Sequence, residues 1–319
     1  KLDFMAIVTT VIPVFNGEPH ITKALDSLAH QSRPPDRVVV LDNCSTDRTR
    51  EIVSNFKSLR CEYRLNERNL GLFGNHNRAL ELAAETDYLH FLHVDDVLLP
   101  DFCARMVELL NPVDGWGMGW CQAQFIDKHD QPLPAIVAPV AGMPKQVGLD
   151  DFLKERARLR ADIFVSGTMI KTNRKAIPFR FKEEFRQVGD HLFWSELAVL
   201  CIGRLRVSEV LLKYRHHALS GTSTNQKNLD FFVQEDWTVI QAIEAMRGQT
   251  GLSQWLRLQK LKCFFAALVH VKIQMVRRQS PQYAQQIANL GREMTGFLHW
   301  WLGKSAFQLR ECLRAIRGG

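Results

Sequence analysis

The stretch Tyr88-Leu-His-Phe-Leu-His-Val-Asp95-Asp96-Val-Leu-Leu-Pro100 decides how this chain folds. It reads as an apolar strand, Tyr88 to Val94, ending in two adjacent carboxylates; a loop and a Pro-led helix, Pro100 to Leu110, follow. Acids at the carboxyl end of a buried strand stand where open α/β sheets bind ligands. Adjacent carboxylates repel, so they need a cation, a hydrogen-bond network or solvent. A hard divalent metal carrying substrate phosphates meets that need. The plainer alternative has Asp96 capping the next helix and Asp95 as a solvated loop acid.

Upstream, strand and helix signals alternate. Ala6 to Val14 is a β-branched run closed by Pro13-Val-Phe-Asn16-Gly17, and Ile21, Ala24, Leu25 and Leu28 then recur at helical spacing. Arg37 to Leu41 is a Val-rich strand ending at Asp42-Asn43-Cys44-Ser45-Thr46-Asp47, where Ser45 or Thr46 can cap a helix to about Phe56. Cys61 to Leu65 is a third short strand, and the turn Asn69 to Asn77 leads into a helix over Arg78 to Ala84. This alternation predicts an α/β fold with a mostly parallel sheet and flanking helices, Rossmann-like in layout. Four polar clusters follow apolar strands: Asn16/Glu18, Asp42, Asn69–Asn77 and Asp95/Asp96. In a parallel sheet they converge on one crevice. No G-x-G-x-x-G follows the first strand and no G-K-[ST] is present, which argues against dinucleotide and P-loop sites.

Downstream, Trp116 to Phe125 and Asp162 to Ile170 read as strands, separated by a Pro- and Ala-rich loop over Gln131 to Pro144. Gly189-Asp190 opens a helix to Leu200, and Val207 to Tyr214 is a last strand before His216-His217 and Ser220. Helices then predominate: Leu229–Met246, Leu252–Val276, Pro281–Trp301 and Ser305–Arg317. We expect an α/β domain over 1–225 and a basic helical region over 226–319. The last 69 residues carry 11 Lys and Arg against 2 Asp and Glu, so the net +7 resides there and the first 250 residues are slightly acidic. That asymmetry suits an anionic partner. Seven scattered cysteines without a C-x-x-C pair fit a reducing compartment rather than a disulfide framework or zinc knuckle. With 46% hydrophobic and 24% charged residues, the composition is that of a soluble globular protein. No uncharged run is long enough to span a bilayer, and no secretory signal pattern opens the chain.

Taken in order, Ile12-Pro-Val-Phe-Asn16, Val40-Leu-Asp42-Asn-Cys-Ser45-Thr-Asp47, Asn69-Leu-Gly71 with Asn77, and Asp95-Asp96 before Pro100 resemble the glycosyltransferases of family 2, inverting enzymes with a GT-A type nucleotide-sugar domain. The resemblance covers roughly residues 4–220. It implies that Val14, Phe15, Asn16 and Glu18 hold the nucleoside, and that Asp42 binds the base or ribose, alongside a plain loop-capping role. Asn69 and Gly71 would shape a turn beside the nucleotide, with His76 where the family often has Arg. The family's acidic motif is usually D-x-D; here His93 replaces the first acid, Val94 follows, and Asp95 matches the metal-ligating position for Mg²⁺ or Mn²⁺. Asp96 would orient the loop or the donor sugar. Asp190 matches the catalytic base, with Gly189 in place of an acidic neighbour; helix capping is its plainer role. His217 matches a metal- or diphosphate-contacting histidine.

The reading implied is a metal-dependent, inverting hexosyl transfer in polysaccharide synthesis. The donor is a nucleoside diphosphate sugar, UDP-linked in preference to dTDP or GDP, and the acceptor a glycan or lipid-linked saccharide. The C-terminal helices Leu252–Val276 and beyond mix Lys and Arg with aromatic residues, which suits packing on the catalytic domain and contact with an anionic membrane surface. Nucleic acid is not an expected partner, since no binding module accompanies the charge. The expected location is cytoplasmic, peripheral on the inner face of a membrane. Two other classes stay open: a catalytically silent sugar-nucleotide or glycan-binding subunit, motivated by His93 and Gly189, and a nucleotidyltransferase, which also uses strand-end acids and Mg²⁺.

Overall fold

A computed structural model describes residues 6–134, 142–160, 162–216, 229–248, 250–277 and 280–317. They form two compact units, one comprising 1–152, 161–184 and 193–220, the other 153–160, 185–192 and 221–319.

The first unit is built on one sheet of nine strands among the described residues. In chain order these are β1 (Val8–Val14), β2 (Arg37–Asp42), β3 (Cys61–Leu65), β4 (Tyr88–Phe91), β5 (Val97–Leu98), β6 (Gly117–Ile126), β7 (Lys145–Gln146), β8 (Thr168–Lys171) and β9 (Gly203–Arg215). The spatial order is β3-β2-β1-β4-β8-β6-β9-β5, with β7 on β9. Strands β3, β2, β1 and β4 run parallel. β8 then lies antiparallel between β4 and β6, β9 is parallel to β6, and β5 and β7 are antiparallel to β9. The sheet is therefore mixed: the expected parallel character holds for the first four strands and for the β6–β9 pair.

β1 and β4 are buried along their whole length and β2 nearly so. Burial on both faces explains their predominantly apolar sequences, in which Thr9, Thr10 and His90 are buried exceptions. The intervening helices α1 (Ile21–Ala29), α2 (Thr49–Asn55), α3 (Gly71–Leu80) and α4 (Phe102–Leu110) cover the sheet. α1 buries Ile21, Ala24, Leu25 and Leu28, the apolar stripe read from its sequence. A further helix, α5 (Leu149–Arg156), precedes β8, and α6 (Gly189–Leu200) precedes β9.

Several boundaries depart from expectation. α2 begins at Thr49, and neither Ser45 nor Thr46 caps it; the Ser45 hydroxyl accepts from Asn16 N–H instead. α3 begins at Gly71 rather than Arg78, because Gly71 takes φ 74° and the chain turns directly into helix. Asp96 does not cap α4, whose N-cap position is Asp101. Of the expected strand over 162–170 only Thr168 to Ile170 pairs in the sheet, as part of β8, after a 3₁₀ turn at Val165–Gly167.

The second unit is helical: α7 (Leu229–Met246), α8 (Leu252–Arg277), α9 (Pro281–Thr295) and α10 (Phe297–Arg317). The expected helix Pro281–Trp301 is broken at Gly296, whose φ of 81° ends α9 and starts α10. Close approach fixes the packing. A Cβ on Gly303 of α10 would lie 2.5 Å from Ala266 Cβ and 2.8 Å from the Cys263 carbonyl of α8. No helix among the described residues is long and apolar enough to cross a membrane.

Candidate functional site

The register of the parallel strands brings the predicted clusters to one edge of the first unit. Val14 pairs with Asp42 and Asp42 with Leu65, so β1, β2 and β3 end together. Asn43 N–H reaches Val14 O at 2.8 Å, Asn66 N–H reaches Asp42 O at 2.8 Å, and Leu92 N–H reaches Val11 O at 2.9 Å. The loops after β1, β2, β3 and β4 leave the sheet side by side, so the topology, rather than sequence proximity, assembles the site.

The first two loops lock each other. Asn16 adopts φ 53°, donates its N–H to Ser45 Oγ at 2.8 Å and accepts Thr46 N–H on its side-chain oxygen at 2.9 Å. Gly17 N–H donates to Thr49 Oγ1 at 2.8 Å and Glu18 N–H to Asp47 Oδ2 at 2.9 Å. The Glu18 carboxylate holds Arg48 through its backbone N–H (3.0 Å) and guanidinium (2.6 and 2.9 Å). That partnership lowers the Glu18 pKa. Val94 closes the corner from β4: a Cβ on Gly17 would sit 2.4 Å from Val14 Cγ2 and 2.9 Å from Val94 Cγ2. Above this lock Phe15 stands 50% exposed, an aromatic face available to a ligand.

Asp42 is 1% exposed. Its oxygens accept Ser45 N–H at 2.7 Å and the Tyr63 hydroxyl at 2.5 Å. In this geometry it shapes the β2 loop and braces it against Tyr63 of β3. Beside it runs an amide network that joins the predicted Asn69–Asn77 turn to Asn43 and Asn66, to which the sequence assigned no role. Asn43 donates to Asn69 Oδ1 (2.8 Å) and Gly71 O (3.2 Å) and accepts from Leu70 N–H (2.8 Å) and Asn66 (3.1 Å). Asn66 donates on to Asn75, which donates to Leu41 O. Asn69 in turn accepts Gly71 N–H at 2.8 Å. The only sequence signal for this hub was the density of Asn after strand ends.

His76 corrects an expectation. It is 2% exposed, among Phe73, Phe91 and Phe181, and both ring nitrogens are committed. The Leu72 carbonyl at 2.7 Å can only accept, so His76 Nδ1 carries the proton. His76 Nε2 then accepts from His93 Nε2 at 2.9 Å. Burial lowers the pKa of His76 to about 4; burial, then the neighbouring His76, lowers that of His93 to about 3. Both rings are neutral, and His76 supports His93 from within the core instead of presenting a group to a ligand.

Asp96 and Asp95 divide sharply. Asp96 is 2% exposed, accepting Ser166 Oγ–H at 2.5 Å and Arg215 N–H at 3.0 Å. Burial raises its pKa to about 7, against the pull of those two donors. Ser166 also accepts His93 N–H at 3.0 Å, and Arg215 Nε donates to the Asp95 carbonyl at 2.8 Å. Asp96 thus ties the strand-end loop to Ser166 and to the end of β9, and Ser166 and Arg215 are partners that sequence reasoning missed. Asp95 keeps partial exposure.

A divalent cation is tested against this donor set. Asp95 offers a hard oxygen ligand, whereas Asp96 is sealed and His93 Nε2 is bound to His76. Among the described residues no group of three or more His, Cys, Asp or Glu is arranged to hold a metal. His217 lies outside the described residues. One carboxylate nevertheless suits Mg²⁺- or Mn²⁺-type ions, whose shells are commonly completed by substrate phosphates and water.

Asp190 belongs to the second unit, in the first turn of α6. Its Oδ1 accepts His191 N–H at 2.9 Å. Burial raises its pKa to about 6, opposed by the His191 N–H and the nearby Arg156 guanidinium.

Residues 9–141 match the sequence family described as Glycosyl transferase family 2. The succinoglycan biosynthesis protein ExoO of Rhizobium meliloti is 32% identical over 270 residues, 82% of this chain and 75% of ExoO. The chain belongs to glycosyltransferase family 2. Several other curated relatives are matched over smaller shares of their own length, 64%, 42% and 16%. The family's fold is equally clear. The structure of Staphylococcus aureus TarS 1–349 in complex with UDP-GlcNAc superposes with a TM-score of 0.61 at 17% identity, over 95% of this chain and 92% of that one. The mannosyltransferase PcManGT of Pyrobaculum calidifontis, solved with GDP-Man and Mn²⁺, gives 0.53 at 15% identity over 98% and 88%. The family 2 chain therefore carries a GT-A type sheet with flanking helices and a C-terminal helical region.

Proposed function

We propose that this family 2 chain is an inverting transferase that moves a sugar from a nucleoside diphosphate sugar, UDP-linked in preference to dTDP or GDP, to a hydroxyl of a glycan or lipid-linked acceptor in polysaccharide synthesis. The observation that carries this reading is the convergence of the β1, β2 and β4 loops on one sheet edge, with half-exposed Phe15 and partly exposed Asp95 there. Phe15 stacks on the base, Asn16 and Glu18 set the loop beside it, and the Asn43–Asn69–Gly71 network shapes the opposite wall. Asp95, with His217, would hold the divalent ion, which would supply charge neutralisation of the diphosphate leaving group.

Asp190 is the base. It removes the proton from the acceptor hydroxyl while that oxygen bonds to the anomeric carbon and the bond to the diphosphate oxygen breaks. A pKa of about 6 keeps it ionised near neutrality yet basic enough to take a proton. Donor binding is assigned to 1–225 and an accessory role to 226–319. Exposed Trp255, Phe297 and Trp301, with basic Arg277 and Lys304, support attachment to an anionic membrane surface.

The deciding experiment is a thermal-shift panel of nucleoside diphosphates with and without Mn²⁺. A ligand at a hundred times its Kd stabilises by about 2.7 kcal/mol. We expect UDP to stabilise most, and more with Mn²⁺; no stabilisation by any nucleotide would sink the donor-site reading. Donor binding without turnover over a broad acceptor panel would shift it to a silent binding subunit.

A further inference from the structure

The turn that leads into α6 is held by a side chain from α7. Glu235 is 9% exposed, and its carboxylate takes three successive backbone N–H groups. Arg186 N–H donates to Oε1 at 2.6 Å; Gln187 and Val188 N–H donate to Oε2 at 2.9 and 3.4 Å. One helical turn earlier on α7, Phe231 lies under the Arg186 guanidinium, 4.0 Å from ring centroid to Cζ. The turn continues directly into α6 through His191 N–H to Val188 O at 3.1 Å. Asp190 sits inside that first turn, bonded to the same His191 N–H. All these groups lie within the second unit.

Two neighbouring contacts from one helix face, Glu235 on three amides and Phe231 on the guanidinium, fix the backbone two to four residues before Asp190. The 186–188 amides have no helix or strand ladder of their own to satisfy them, so without Glu235 the turn must seek water or other acceptors. A base must meet the acceptor hydroxyl at hydrogen-bond distance, and small displacements are costly to rate.

We propose that Glu235 is a positioning residue for sugar transfer: it clamps the Arg186–Val188 turn and thereby sets the first turn of α6 that carries Asp190. This rests on the reading of Asp190 as base. It gives the helical region a part in the chemical step.

The test is steady-state kinetics of the full chain with Glu235→Ala, Glu235→Gln and Glu235→Asp, alone and with Asp190→Asn. We expect Glu235→Ala to lower kcat about tenfold or more while donor KM and UDP affinity stay within about twofold, the pattern of a group acting on the transition state through another. The acid limb of its kcat–pH profile should move away from that of the parent. Glu235→Gln, which keeps one acceptor oxygen, should recover part of kcat. Added to Asp190→Asn, Glu235→Ala should cost nothing further. If Glu235→Ala does not fold, the Gln and Asp variants carry the same readouts. A lower melting temperature with unchanged kcat per donor-binding site and an unmoved acid limb would overturn the proposal while leaving Asp190 as base. Full activity in Asp190→Asn would remove the base reading itself.

Discussion

Gly17→Ala tests whether the strand-end loops are locked as described. Gly17 is buried, its N–H is held by Thr49 Oγ1 at 2.8 Å, and its carbonyl accepts from His20 and Ile21 N–H at 3.0 and 2.8 Å. It is anchored on both sides and cannot drift to admit a methyl group. The added Cβ would meet Val14 Cγ2 at 2.4 Å and Val94 Cγ2 at 2.9 Å, both branched side chains with few rotamers. Two effects compete. Replacing Gly by Ala restricts the unfolded chain and stabilises by about 0.4–1 kcal/mol where space allows. Overpacking costs about 1–3 kcal/mol. The clash wins, and we expect a net loss of roughly 0.5–2 kcal/mol, with weaker UDP binding because Val94 is pushed and Asp95 follows it. Urea unfolding and a UDP titration measure the two parts. A cycle with Val14→Ala, which removes the nearer methyl, should show a favourable coupling of about 1 kcal/mol. A variant as stable as the parent, or strict additivity in the cycle, refutes the lock.

Asp190→Asn should lower transfer by about 10²–10⁴-fold with donor KM preserved. In the parent, kcat should rise with pH through about 6, because the carboxyl must be ionised to accept a proton; a flat profile from pH 5 to 8 contradicts this. His93→Asp restores the acid usual in the family but sets a carboxylate against the bare Nε2 of His76. We expect a loss of about 1–3 kcal/mol at pH 8 from two opposed buried acceptors. The sign with pH also differs. His76 and His93 have pKa values of about 4 and 3, so the parent loses the stability they confer as pH falls below the unfolded value near 6.5. In His93→Asp the carboxylate raises the His76 pKa, so its deficit should shrink between pH 8 and 6; a widening deficit refutes the tautomer assignment. Asp96→Asn presents an amide N–H₂ to the Ser166 hydroxyl or the Arg215 N–H and should destabilise by about 1–3 kcal/mol by denaturant unfolding.

What was legible in the sequence follows from burial. β1, β2 and β4 are buried within the sheet, so apolar residues predominate in them and clusters of polar residues follow their ends. Those ends were Asp42, Asn16 and Asp95–Asp96, and the register does bring them to one edge. The reversal at β8 was hidden, because strand direction follows from which strands pair and not from the pattern within one. The break at Gly296 was hidden by continuous helical periodicity on both sides. Among site residues, side-chain type could not separate a group that faces a ligand from one that supports it. Asp42 was read as a base or ribose contact as well as a loop residue, and Asp96 as orienting the loop or the donor sugar; the partners that bury Asp42, His76 and Asp96, namely Tyr63, His93, Ser166 and Arg215, lie elsewhere in the sequence.

The replacement of an acid by His93 is coherent with those partners. Ser166 links His93 N–H to the Asp96 carboxyl, so the three residues share one buried network behind Asp95. Asp96 already has its pKa raised to about 7 by burial, with Asp95 contributing to the rise. A carboxylate at position 93 would add a third negative charge to this low-dielectric corner, where each further like charge disfavours ionisation of the others. A neutral imidazole avoids that, and the His76 imidazole satisfies it without bringing a charge. Of the two strand-end acids, Asp95 is the one that keeps contact with solvent. The departure from the usual acidic motif therefore keeps a further carboxylate out of the buried corner around Asp96.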